Sequence, residues 1–88
     1  MLGLGGVFIE VQKDVVFACA PVSEADAQFM MQRLRASAVL DGVRGRPGVD
    51  RACVAAAICA VSRFAVDHPE VIELDLNPVF AGPDGTIA

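Results

Sequence analysis

Tryptophan and tyrosine are absent, histidine occurs once, and seven Lys+Arg stand against eleven Asp+Glu, for a net charge of −4. With no basic stripe and no interleaved aromatics, the chain lacks a surface that tracks a phosphate backbone, which argues against nucleic-acid binding. The three cysteines, Cys19, Cys53 and Cys59, are odd in number and show no CxxC spacing. A closed disulfide framework is thereby excluded. Cys53 and Cys59 lie six apart, so on a helix they point about 120° away from each other. All three read as reduced, mostly buried small hydrophobes, which fits a cytoplasmic chain; a catalytic thiol is the sharper alternative. No apolar run reaches the roughly 18 residues that cross a bilayer, so no membrane association is expected. Leu2 to Val11 makes a poor signal peptide, because it is glycine-rich, carries Glu10 and has no positively charged start.

What the chain has in plenty is apolar surface. Eighty-eight residues form one domain, 1–88, and 55% of them are hydrophobic. A chain of this length buries only about 60–65% of its unfolded surface. The surplus calls for a cover: a partner, a second copy, or the rest of a larger domain.

Turn chemistry and periodicity divide the chain. Val7 to Gln12 alternates and is β-branched, and Val15 to Ala20 follows across a short Lys13-Asp14 turn, which predicts an antiparallel hairpin closed by Pro21. Ser23 with Asp26 three residues on forms a weak capping box, opening a helix with Ala27, Met30, Met31 and Leu34 on its apolar face. Methionines at this spacing are core filler. Val39 to Val49 is a loop whose Arg44 and Arg46 either hold a phosphate or carboxylate or are solvated charges. Asp50 caps a second helix running to about Asp67. Its broad apolar face (Val54, Ala57, Ile58, Val61, Phe64, Ala65) predicts burial on more than one side. Pro69 stops it, and His68 at its end, with no visible partner for base catalysis, reads as structural. Val71 to Asn77 alternates as a third strand, with Val79 to Ala81 as an irregular extension. Gly82 to Gly85 is a turn, and Thr86 begins a fourth strand. The order β-β-α-α-β-β predicts an α+β fold: an antiparallel sheet of about four strands with two helices on one face.

The chemistry concentrates in Glu73-Leu74-Asp75-Leu76-Asn77-Pro78. In a strand, Glu73, Asp75 and Asn77 share one face, while Ile72, Leu74 and Leu76 share the core side. Asp75 and Asn77 are then roughly 6–7 Å apart along the backbone. Both offer hard oxygens that suit one Mg²⁺ shared with phosphate oxygens and water. Pro78 ends the ladder. Polar residues on a half-solvated strand face are also common without any ligand.

Gly3-Leu4-Gly5-Gly6-Val7-Phe8-Ile9-Glu10-Val11, followed by Lys13-Asp14-Val15, resembles a signature of ADP-forming acyl-CoA synthetases. So do Ala20-Pro21-Val22-Ser23-Glu24-Ala25, Gly42-Val43-Arg44-Gly45-Arg46-Pro47 with Val49-Asp50, and the closing Glu73-Leu74-Asp75-Leu76-Asn77-Pro78. Four segments in consistent order cover nearly the whole chain. The resemblance implies the C-terminal part of the ATP-grasp domain, related to the succinyl-CoA synthetase β subunit. It implies conversion of acyl-CoA, ADP and phosphate to acid, CoA and ATP, or the reverse, through a swinging phosphohistidine. The same unit occurs in fusion proteins carrying an acetyltransferase domain. Asn77 matches a Mg²⁺ ligand. Asp75 matches its acidic neighbour, a metal ligand or a contact of the incoming phosphohistidine and so a catalytic candidate. Gly5, Gly6 and Glu10 lie in the segment that faces the phosphates of ATP or ADP, and Arg44 is a further candidate there. The partners implied are the upstream ATP-grasp lobe and a domain or subunit that binds CoA and bears the phosphohistidine. His68 is not that histidine, which in the family lies in a glycine-flanked context of another domain. The lysine-bearing upstream half, and a further acidic metal ligand expected after Ala88, lie outside the sequence, so the segment alone is expected not to turn over. The alternative is a non-catalytic module that keeps the fold and docks to a partner.

Overall fold

The computed structural model describes residues 1–5, 14–42, 45 and 47–88. In chain order the elements are β1 (Leu2–Gly3), β2 (Val15–Val16), α1 (Glu24–Arg33), a 3-10 turn (Ser37–Asp41), α2 (Arg51–Asp67), β3 (Phe80–Gly82) and β4 (Gly85–Ile87). The class is α+β, as expected, with two helices between short strands, although the first and third of these strands are not the predicted ones. Among the described residues the strands form two separate antiparallel ribbons, β1–β2 and β3–β4.

The capping box is real. Ser23 Oγ accepts from Asp26 N–H at 3.0 Å, and Asp26 Oδ2 accepts from Ser23 N–H at 3.1 Å. Both ends of the box satisfy amides that the first helical turn leaves without partners. α1 then buries Ala27, Met30 and Met31, with Leu34 just beyond it. These side chains, with Val16, Leu40 and Ala55, make the core. Met31 is the largest side chain fully shut off from water.

Asp50 caps α2 as expected, its Oδ1 accepting from Ala52 and Cys53 N–H at 3.0 and 3.2 Å. The helix departs from expectation in its burial. Only Ala55 and Ser62 are buried, whereas Val54, Ile58 and Cys59 pack partly against the core. Phe64 and Val66 are exposed. The main neighbours of α2 among the described residues are α1 and β4, which leave much of its apolar surface open. Ser62 Oγ accepts from Val22 N–H at 2.6 Å, joining α2 to the lead-in of α1. This satisfies a buried hydroxyl that would otherwise be costly.

The strand predicted over Val71 to Asn77 does not form. Residues 71–79 carry no regular secondary structure and are exposed. Ile72, expected on the core side, is 99% exposed, and Leu74 and Leu76 are also open. A strand is held by its neighbours, and among the described residues no edge pairs with this one. Pro78 therefore ends no ladder here. The turn after it is as read: Gly82 pairs with Gly85 across Pro83-Asp84, and Gly85 takes φ +133°, which favours glycine. β2 is shorter than the predicted Val15 to Ala20 strand, and Val15 and Val16 pair with Gly3 and Leu2. The predicted partner strand, Val7 to Gln12, lies outside the described residues.

Candidate functional site

The candidate residues fall into three groups. Gly6, Glu10 and Arg44 lie outside the described residues. Gly5 follows β1. Asp75 and Asn77 sit on the exposed stretch between α2 and β3, next to the cis Asn77–Pro78 bond.

Gly5 differs from two other glycines in a way that bears on its role. A Cβ built on Gly48 would meet Leu40 O and the Asp41 carbonyl carbon at 2.7 Å. That glycine is required by the fold: the neighbouring Val49 N–H donates to Leu40 O at 2.8 Å, which brings the chain at Gly48 against the 3-10 turn. A Cβ on Gly3 would touch Val15 Cγ1 at 3.0 Å. A Cβ on Gly5 would meet nothing within 4 Å. Among the described residues nothing in the packing needs glycine at Gly5. Its bare backbone is open for close approach by another group, as phosphate-cradling backbones require.

Asp75 and Asn77 make no hydrogen bond or ion pair with another side chain among the described residues, so their oxygens stay available. Two hard oxygen donors on exposed backbone fit Mg²⁺, which takes one or two protein ligands and keeps water and phosphate for the rest. They do not build a metal cage by themselves. Among the described residues no cluster of three or more His, Cys, Asp or Glu is placed to hold a metal.

Other candidates have structural employment. Arg51 is bound to Asp41 at 3.1 Å and donates to Ser37 O at 3.2 Å. His68 caps α2 through its backbone, stacks on Phe64 at 4.6 Å and meets Glu70 Oε1 at 3.1 Å. Cys53 donates its thiol to Asp50 Oδ2 at 3.3 Å. That carboxylate, followed by burial, pushes the thiol upward and disfavours the reactive thiolate. Cys59 is half-buried, but Cys19 is exposed, contrary to the expected burial. Among the described residues no helix is long and apolar enough to cross a membrane.

Sequence reasoning missed Asp14, which reads as a turn residue. Its Oδ1 accepts from Arg35 N–H at 2.8 Å and its Oδ2 from Ala36 N–H at 3.0 Å. Those amide bonds hold its carboxyl below the ordinary carboxylate value. The signal is a contact 21 residues away, which local pattern does not carry.

Three comparisons place the chain. A family model described as an ATP-grasp domain matches residues 1–88. The β subunit of acetate–CoA ligase (ADP-forming) I from Pyrococcus furiosus is 42% identical over 88 residues, all of this chain and 38% of that subunit. Acetate–CoA ligase (ADP-forming) I from Archaeoglobus fulgidus is 44% identical over 79 residues, 90% of this chain and 12% of that protein. A solved structure from Ca. Korarchaeum cryptofilum, a dinucleotide-forming acetyl-coenzyme A synthetase 1 with coenzyme A and Mg-AMPPCP, superposes with a TM-score of 0.89 at 44% identity. It covers 96% of this chain and 39% of that one. The chain thus spans two fifths or less of the length of these relatives. With a family match from the first residue to the last, the chain belongs to the ATP-grasp domain family.

Proposed function

We propose that residues 1–88 act as one unit, the C-terminal part of an ATP-grasp lobe that holds Mg²⁺-nucleotide in an ADP-forming acyl-CoA ligase. The observation that carries this reading is the pair Asp75 and Asn77. They are exposed on a stretch without regular structure, in a chain whose similarity to ADP-forming ligases runs over its full length. Asp75 and Asn77 offer the metal ligands, and Gly5 offers open backbone to the phosphates. Gly6, Glu10 and Arg44 complete the set by resemblance. Bound Mg²⁺ would screen the nucleotide's negative charge during phosphoryl transfer, the main requirement of that chemistry. This chain's residues bind and orient; Asp75 also offers a carboxylate toward an incoming phosphohistidine.

The remaining parts come from elsewhere: the upstream lobe, and a CoA-binding, phosphohistidine-bearing domain or subunit. Two curated relatives from Pyrococcus furiosus are named as β subunits. One Korarchaeum structure is described with its phosphohistidine segment pointing towards the nucleotide-binding site. The exposed Ile72, Leu74 and Leu76 support a cover supplied by such parts, and a cytoplasmic setting agrees with three free thiols.

The test is Mg²⁺-ADP titration of the intact protein that carries these residues. Loss of groups that merely support a metal ligand costs about 10–100-fold, so loss of the ligands themselves should cost no less. Asp75→Asn combined with Asn77→Ala is expected to weaken Mg²⁺-ADP by at least about tenfold and to abolish phosphoryl transfer. Unchanged affinity and transfer would remove the metal role.

A further inference from the structure

The unabsorbed feature of the fold is the Asp14 clamp. α1 ends at Leu34, whose backbone turns to φ −61°, ψ 137°. The next two amides, Arg35 and Ala36, point the same way and form a small anion-binding nest. Asp14 fills it with one carboxylate oxygen on each amide. Asp14 sits next to Val15, which pairs with Gly3 in the β1–β2 ribbon. Its own carbonyl oxygen lies 3.3 Å from where a Gly3 Cβ would be. A short rigid path therefore runs from the end of α1 through Asp14 and Val15 to Gly3, two residues before Gly5. The ribbon is only two residue pairs long, so pairing alone fixes it weakly. The double charge-assisted bond ties it to the packed helix.

We propose that Asp14 is a positioning residue for nucleotide binding: by anchoring the β1–β2 ribbon to the end of α1 it sets where the open backbone at Gly5 meets the phosphates. This rests on the nucleotide-binding reading above. Asp14 does not touch the nucleotide. It acts through the ribbon, on binding in ground state and transition state alike, so its loss raises KM and leaves kcat.

The test uses the intact protein with Mg²⁺-ADP as the varied substrate and thermal unfolding as the control. Asp14→Ala is expected to raise the nucleotide KM about tenfold with kcat within about twofold. Asp14→Asn, which keeps one acceptor, falls between it and wild type. Ser23→Ala, which removes the α1 cap, lowers thermal stability without moving KM. Four results overturn the proposal. The first is an unchanged KM in Asp14→Ala when wild type binds Mg²⁺-ADP. The second is an equal KM rise in Ser23→Ala, and the third is a loss confined to kcat. The fourth is failure of both Asp14 variants to fold, which makes Asp14 a folding determinant only. Wild type that does not bind Mg²⁺-ADP removes the nucleotide-binding reading itself, and this proposal with it.

Discussion

Residues 14–62 and residues 64–88 obey different rules. Among the described residues, every buried side chain of the core is found in the first region, and both of its α-helix starts are capped. A buried serine and an aspartate clamp tie distant segments together. In the second, Phe64, Val66, Val71, Ile72, Leu74, Leu76, Val79, Phe80 and Ile87 are all exposed. Its tie to the first region is light: β4 packs along α2, and Gly82 O accepts from Asp50 N–H at 2.9 Å. The difference teaches that one region is stabilised by its own packing. The other is apolar in sequence but exposed in structure, with no regular pairing over residues 71–79, and it carries the candidate ligands Asp75 and Asn77. Alternating apolar residues that face water are a surface built to be covered.

The sharpest way to break this contrast is on function. If the exposed stretch serves ligand binding, Asp75→Asn with Asn77→Ala should abolish phosphoryl transfer in the intact protein and leave its unfolding free energy within about 0.5 kcal/mol of wild type. A large loss of stability instead would make these residues part of a scaffold. If the site is shared with further parts, as proposed, the 88-residue segment alone should show no turnover; measurable transfer by it would end the reading of a shared site.

Stability should divide the two regions next. Met31→Ala empties a fully closed site and should cost about 2–5 kcal/mol in urea unfolding. Ile72→Ala, at 99% exposure, should cost less than about 0.5 kcal/mol in the 88-residue chain. In the intact protein the same Ile72→Ala should become expensive, by about 1 kcal/mol or more, if a neighbouring part covers it. An Ile72 effect near zero in both settings would mean that nothing covers it.

Sequence alone made the first region legible. Ser23 with Asp26, the Ala27-Met30-Met31-Leu34 stripe and Asp50 are local signals, fixed by neighbours within about four residues, and in the second region the Gly82-to-Gly85 turn is one as well. What it left unread is long-range. The Val71–Asn77 pattern gives the period of a strand but not the partner that makes one. The α2 face gives hydrophobicity but not how many neighbours exist to bury it. Of the candidate site, Asp75 and Asn77 were legible as free oxygen donors, whereas the Asp14 clamp depends on where α1 ends in space.

Gly48 tests the packed region at its tightest backbone contact. Gly48→Ala drives a Cβ into the Leu40 and Asp41 backbone at 2.7 Å. Backbone cannot step aside as a side chain tip can, so a loss of about 1–3 kcal/mol is expected. Gly5→Ala meets nothing and should leave stability unchanged while weakening Mg²⁺-ADP in the intact protein. Equal stability losses at the two glycines would erase the distinction between a glycine kept for the fold and one kept for a ligand.

The smallest effect is the dependence on acid. The Ala36 and Arg35 amides hold Asp14 below its ordinary value of 3.8. The Ser23 amide and hydroxyl do the same for Asp26, and the Cys53 thiol and amide, with the Ala52 amide, for Asp50. A carboxylate with a depressed folded value contributes stability that is complete above its unfolded value. That contribution disappears as pH falls through the folded value. All three groups lie in the packed region, so its urea midpoint should hold steady down to about pH 5 and then decline. Exposure to water screens each contribution, which keeps the decline modest. Asp14→Asn, Asp26→Asn and Asp50→Asn should each lower the midpoint at pH 7 and flatten the fall below pH 4. The acid sensitivity of the packed region is then traceable to three caps and clamps. A triple variant with the wild-type pH profile would show that the sensitivity arises elsewhere.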